Sequence, residues 1–213
     1  MSDARTEILE RVATARSMAE PDQVRRAYRR AGTLTAADRI ALFCDRTGEY
    51  RADVRRVPRG EIGQAVASVC HELDARALGT PAGLPTTWRP AGVELVEDTG
   101  LTPRELDRLD GVLTGCTVAI AETGTIVLTG RAHEGRRALT LVPDLHICVV
   151  EEEQIVELVP EAISLLADLV AGERRPLTFV SGPSATSDIE LSRVEGVHGP
   201  RTLVVLVTSR EDP

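Results

Sequence analysis

The sequence contains no lysine, so all 25 of its basic residues are arginines. A Schiff-base or pyridoxal-phosphate enzyme, a P-loop NTPase and a Ser-Lys dyad each need an ε-amino group, and this absence removes all three. Arginine still binds anions. Asparagine is missing too, which leaves no acceptor for N-glycosylation. Neither a GxSxG nucleophile elbow nor a GxGxxG dinucleotide fingerprint occurs. Cysteine is sparse. Cys44, Cys70, Cys116 and Cys148 are far apart and never form a CxxC pair, which argues against a zinc ribbon, a locally wound iron–sulfur motif or a disulfide framework. Cys116 and Cys148 sit in apolar runs and read as reduced, buried thiols. No two histidines stand at i, i+3 or i+4, so no metal and no cofactor is expected in this chain. The N-terminus mixes acids and bases without an apolar h-region, and no stretch approaches the ~20 apolar residues of a membrane span. A cytoplasmic location without membrane contact is the expectation.

What is present is enough for a real core: 213 residues, 42% of them hydrophobic, fit one sizeable domain or one domain with an appendage. The net charge of −8 disfavours nucleic acid as a partner. That charge is unevenly spread, with thirteen Arg against nine acids in residues 1–60 and twelve against twenty-four in residues 61–213. In the basic front, Ile8, Leu9 and Val12 fall at helical spacing, Val24, Ala27 and Tyr28 resume it after Pro21, and Thr35 to Asp38 resembles a helix start. Residues 1–48 are therefore expected to be a helical segment packed on a core formed by residues 49–213. Its arginines read as a solvated face or a surface for an acidic partner.

From residue 52 β-rich and helical segments alternate. The pattern runs ADVRRV, a helix from Gly60 to about Leu78, GVELV, a short helix around TPRELDRLD, TVAIAETGTIVLTG, LHICVVEEEQIVELV, a helix EAISLLADLVAG, PLTFVSG and RTLVVLVTS. Several runs are continuously apolar, as strands buried on both faces must be. The expected architecture is three-layer α/β with a mainly parallel or mixed sheet. The Pro- and Gly-rich GTPAGLPTTWRPAG reads as a long flexible connection, and Glu151 to Glu153 as a solvated turn between strands.

Three segments carry chemistry. In AIAETGTIVLTG an acid, Glu122, stands between two buried strands, where it needs a partner or hydrogen bonds. Gly124 permits close backbone approach, and Thr123 and Thr125 can donate to a ligand; the plainer reading is a tight turn with an exposed Glu. In FVSGPSATSDIE a strand ends in Ser181-Gly182-Pro183, followed by Ser184, Thr186, Ser187 and Asp188, which suits an anion cradle beyond a strand end. The competing reading is a helix cap, with Ser187 or Asp188 capping and Glu190 closing a capping box. In EGVHGPRTLVVLV, His198 and Arg201 flank a Gly-Pro turn and suit recognition of a carboxylate or phosphate. His146, entering a buried strand, reads as a hydrogen-bonded core residue. His71 and His133 have no supporting context.

Together AIAETGTIVL, PDLHICVV, SGPSATSDIE and GVHGPR resemble the LUD-domain family, in order over about residues 50–208. The resemblance implies a core similar to the sugar-phosphate isomerase and CoA-transferase type of α/β fold. It also implies participation, with an iron–sulfur partner and a cysteine-rich partner, in oxidising L-lactate to pyruvate in bacteria. It supplies no catalytic residue. Two functions follow: an accessory or ligand-binding subunit holding a small carboxylate or phosphate, or a stand-alone enzyme in which Glu122 is nucleophile or base on an acyl thioester or sugar phosphate, by analogy of fold. For the first, the SGPSATSDIE and GVHGPR loops must meet. One follows a strand and the other precedes one, so in a single parallel sheet convergence needs an antiparallel last strand or a long reaching loop.

Overall fold

A computed structural model describes residues 4–17, 27–186, 194–195 and 199–209. In chain order the elements are α1 (Ala4–Ser17), α2 (Ala36–Glu49), β1 (Asp53–Pro58), α3 (Ile62–Glu72), β2 (Ala77–Thr80), β3 (Glu94–Glu97), α4 (Pro103–Leu106), β4 (Gly111–Thr114), β5 (Val118–Ile120), β6 (Thr125–Leu128), β7 (Leu145–Glu151), β8 (Ile155–Val156), α5 (Val159–Asp168), β9 (Thr178–Val180), β10 (Ala185–Thr186), β11 (Val194–Glu195) and β12 (Thr202–Ser209). The central sheet has six strands in the order β1-β12-β7-β4-β2-β3, all parallel. A second sheet, β8-β5-β6-β9, is mixed, and β10 pairs with β11 as a two-residue ribbon. The fold is α/β with a mainly parallel central sheet, as the alternation of the sequence requires.

Strand alternation builds the core. Leu203, Val205 and Val207 of β12 face one way, into a cluster with Ile40 and Phe43 of α2 and Ala119, Ile126 and Leu128 of the second sheet. Val204 and Leu206 face the other way, onto Ile62, Val66 and Val69 of α3. Both faces of β12 are thus covered, which is why it reads as an unbroken apolar run. The far face of the second sheet packs Val118, Ile120 and Val127 on Ala162 and Leu166 of α5. Each such aliphatic side chain withdrawn from water contributes roughly 1.5–3 kcal/mol before entropy is subtracted.

Local signals place the helices. Thr35 caps α2, accepting from the Asp38 N–H at 3.1 Å and donating to its carboxylate at 2.7 Å. Thr102 and Glu105 form a reciprocal capping box at α4. Glu161 accepts from the N–H groups of Glu157 and Leu158 and so caps α5.

The expected helix from Gly60 to Leu78 stops earlier. Asp74 takes a left-handed φ of 52° and the chain leaves α3 to become β2, whose Leu78 is a core strand residue. The Pro- and Gly-rich segment is anchored: Trp88 and Leu84 are buried beside α3, and Gly83 N–H donates to the Ala132 carbonyl at 2.9 Å. Glu151 closes β7 and Glu152 opens the turn to β8, but rather than lying free in solvent each is half-buried and paired with an arginine, Arg59 and Arg56 respectively. At the front, α2 sends Ile40 and Phe43 into the core, whereas Ile8, Leu9 and Val12 of α1 are exposed; Val24 lies outside the described residues.

Candidate functional site

The two loops meet. Ser184 N–H donates to the Pro200 carbonyl at 2.8 Å. Neither anticipated route accounts for it. β12 is parallel to its neighbours, but β9, which leads into the first loop, belongs to the second sheet, and that sheet delivers Ser181 to Ser184 to the amino ends of β7 and β12. Between the loops lies a pocket of about 140 Å³. Ser181, Gly182 and Ser184 line it from one loop, Gly199 and Pro200 from the other, and His146 and Leu203 come from the first turns of the two central strands. Phe179, Arg137 and Thr140 complete its lining.

Gly182 explains how the first loop is held. Its φ is 94°, and a Cβ there would lie 2.6 Å from the Cβ of Tyr50, so the loop presses on the end of α2 where only glycine fits. The Glu122–Thr125 turn rests on the same helix. Thr125, only 5% exposed, places its hydroxyl 2.7 Å from that of Thr123 and 2.7 Å from that of Ser181. Thr123, Gly124 and Thr125 therefore support the pocket wall from behind. Glu122 itself faces elsewhere: Arg29 donates to its carboxylate and its N–H donates to the Glu157 carbonyl at 3.0 Å. Arg29 is also 3.5 Å from the buried Glu157, whose other oxygen accepts from the N–H groups of Thr33 (2.6 Å) and Leu34 (2.7 Å).

Of the remaining expected residues, Arg201 is turned out to solvent, its Nε 3.6 Å from Asp144, and does not line the pocket. The backbone of Thr186 lies in β10, paired with Val194. Asp188 and His198 fall outside the described residues, as do Ser187 and Glu190 of the alternative helix cap.

The cation that does reach the pocket, Arg137, carried no signal in the sequence. It lies in the loop between β6 and β7, a stretch without periodicity and with three arginines. That loop is shaped by Glu134, a fully buried carboxylate. It accepts from Thr129 N–H at 2.6 Å, Thr129 hydroxyl at 3.2 Å, Arg131 N–H at 3.1 Å and the Thr117 hydroxyl, so its charge is offset by donors on every side. Arg136 then turns outward, where two N–H groups hold Asp98 at 2.7 and 2.9 Å. Arg137 turns to the pocket, its Nη1 donating to the Thr140 hydroxyl at 3.3 Å. Arg137 is an exposed residue with no carboxylate within ion-pair distance among the described residues, and the partial desolvation of its guanidinium pushes its pKa down.

Below the pocket the interior is polar but satisfied. His146 is buried with Nε2 2.8 Å from the Thr114 hydroxyl, as expected of a hydrogen-bonded core histidine. His133 has a structural partner as well, its Nε2 being 3.0 Å from the Cys116 carbonyl. The buried Cys116 and Cys148 are free thiols in mutual contact.

The model of the LUD domain family matches residues 89–208, more than half of the chain, and the chain belongs to this family. It is 51% identical over 175 residues to lactate utilization protein C of Deinococcus radiodurans, covering 82% of this chain and 81% of that protein. A protein of the same name from Halalkalibacterium halodurans is 28% identical over 80% of each chain. The crystal structure of a DUF162-family protein from Deinococcus radiodurans superimposes with a TM-score of 0.73 at 45% identity, covering 83% of this chain and 99% of that one.

Proposed function

We propose that this chain serves lactate utilization as a cytoplasmic ligand-binding subunit whose pocket takes a small anion, and that it works with iron–sulfur and cysteine-rich partner proteins. The observation that carries the reading is the convergence of two loops from different sheets on one pocket, joined at Ser184 and Pro200 and facing Arg137. The names of its relatives supply the pathway. The four cysteines are dispersed in sequence and at most two of them, Cys116 and Cys148, meet in the fold, which fits a division of labour in which electron-carrying centres belong to other chains. The alternative, Glu122 as nucleophile or base, draws less support: Glu122 would first have to leave Arg29, and it stands outside the pocket.

The test is deletion of the gene followed by growth on L-lactate as sole carbon source, with affinity purification of the tagged chain from lactate-grown cells. Loss of growth restored by the wild-type chain, with co-purifying iron–sulfur proteins, supports the role. Normal growth of the deletion strain overturns it.

A further inference from the structure

We propose that the pocket selects a monocarboxylate of three or four carbons, with Arg137 as its carboxylate anchor; this rests on reading the pocket as a ligand site. The first argument is charge. Arg136 and Arg137 are neighbours in sequence with opposite fates: Arg136 is stapled to Asp98, whereas Arg137 has no carboxylate within ion-pair distance among the described residues and is steadied by the Thr140 hydroxyl instead. A guanidinium that lines a pocket, with its charge unmatched among the described residues, is suited to a planar carboxylate that takes two parallel N–H donors. Its pKa, lowered by burial, is restored when such an anion docks.

The second argument is stoichiometry of charge. Among the described residues Arg137 is the pocket's one arginine, and His146 already spends Nε2 on Thr114. One positive charge among the described lining residues matches a monoanion. A phosphate dianion or a tricarboxylate would be only partly compensated by that one guanidinium.

Size is the third. A cavity of roughly 150 Å³ takes one benzene-sized molecule of six heavy atoms, and this pocket measures about 140 Å³. A three-carbon hydroxy or oxo acid has that size, whereas a coenzyme A thioester or a sugar phosphate would extend out through the pocket's opening. The walls complete the match: Val180 and Leu203 offer apolar surface for a methyl end, while Ser181, whose hydroxyl also meets that of Thr125, gives a polar side for an oxygen beside the carboxylate.

The experiment is calorimetric titration of the purified full chain with L-lactate, pyruvate, 2-oxobutyrate, citrate and inorganic phosphate, repeated on Arg137→Gln and Arg137→Lys. The expected result is binding of at least one short monocarboxylate, no competition from citrate or phosphate, and at least a tenfold loss in Arg137→Gln with an unchanged thermal midpoint. Arg137→Lys, which keeps the charge but not the paired donors, should fall between. If Arg137→Gln does not fold, Thr140→Val, which leaves the guanidinium unsteadied, should weaken binding severalfold. Tighter binding of phosphate, wild-type affinity in Arg137→Gln, or no binding of any monocarboxylate at millimolar concentration overturns the proposal. The lactate-growth test separates the two readings. Carboxylate binding by a chain whose deletion leaves growth intact removes the pathway role alone, whereas a required chain that binds no carboxylate removes this inference alone.

Discussion

The hydroxyls of Thr125 and Ser181 stand 2.7 Å apart, linking the turn after β5 to the loop after β9. Through this bond and the one to Thr123, a turn that does not touch the pocket sets the position of a residue that lines it.

Thr125→Val keeps the shape and removes the central hydroxyl of the chain. At about 1 kcal/mol per hydrogen bond lost from a buried group, the variant should be destabilised by roughly 1–2 kcal/mol and bind its ligand more weakly. Urea unfolding and the same calorimetric titration check both effects; an unchanged midpoint would show the hydroxyl chain to be incidental.

Two glycines with positive φ should respond differently to alanine. Gly124 has a φ of 56°, and a Cβ there would lie 2.6 Å from backbone atoms of Arg46 and Thr47, so strain and a backbone clash combine. Gly130 has a φ of 72° and its nearest neighbour would be 3.6 Å away. A left-handed alanine costs roughly 1–2 kcal/mol. Gly130→Ala should cost about that, and Gly124→Ala clearly more. Thermal midpoints of the pair decide; equal losses would mean α2 moves aside at no cost.

An acid-sensitive contribution comes from Glu72, whose pKa is pulled down from about 4.5 to about 2 by hydrogen bonds from Arg55 and then Ser68. A carboxyl group with a lower pKa when folded binds protons more readily when unfolded, so stability rises with pH across that window. The stabilisation is complete above about pH 4.5 and is lost as pH falls towards 2. The midpoint deficit of Glu72→Gln relative to wild type should therefore shrink on acidification through this range. A deficit constant from pH 6 to pH 2 contradicts the assignment.

The thiols give a fourth test. Cys70, Cys116 and Cys148 are buried, while Cys44 is half-buried and its pKa is raised chiefly by that burial. Contact with Cys148, and then burial, push Cys116 up as well. Iodoacetamide at pH 7 should label native protein slowly and at Cys44 only, with all four thiols reacting after denaturation. Mass spectrometry reads the count, and native labelling of Cys148 would show that the layer beneath the pocket opens.

How far the sequence anticipates this structure depends on what each residue must satisfy. RTLVVLVTS announces β12 because both its faces are buried, and Thr35 announces α2 because its hydroxyl caps it. GVLT escapes notice as β4: four residues with a glycine carry too little pattern, and the strand is defined by its neighbours β2 and β7. The LDARAL stretch keeps a helical period, and only the left-handed Asp74 ends α3. In the site, Ser181, Gly182 and Ser184 are legible as a loop with exposed donors after a strand. Arg201 is not, because Asp144, the acid it pairs with among the described residues, lies 57 residues away and draws it outward. Arg137 is legible only through Glu134 and Asp98, long-range partners that leave no local period.

The placement of β12 between β1 and β7 also governs how the protein is made. Residues 53–58 and 145–151 have no contact partner for their facing edges until residues 202–209 arrive to pair with both. During synthesis β1 therefore has no sheet to join and β7 keeps an open edge on the four-stranded remainder, and the long sequence separation of these pairings makes closure slow. Losing β12 does not trim an outer strand but detaches β1 and bares the edge of β7, so a nonsense codon before residue 202 should yield an aggregating fragment rather than a shorter working protein.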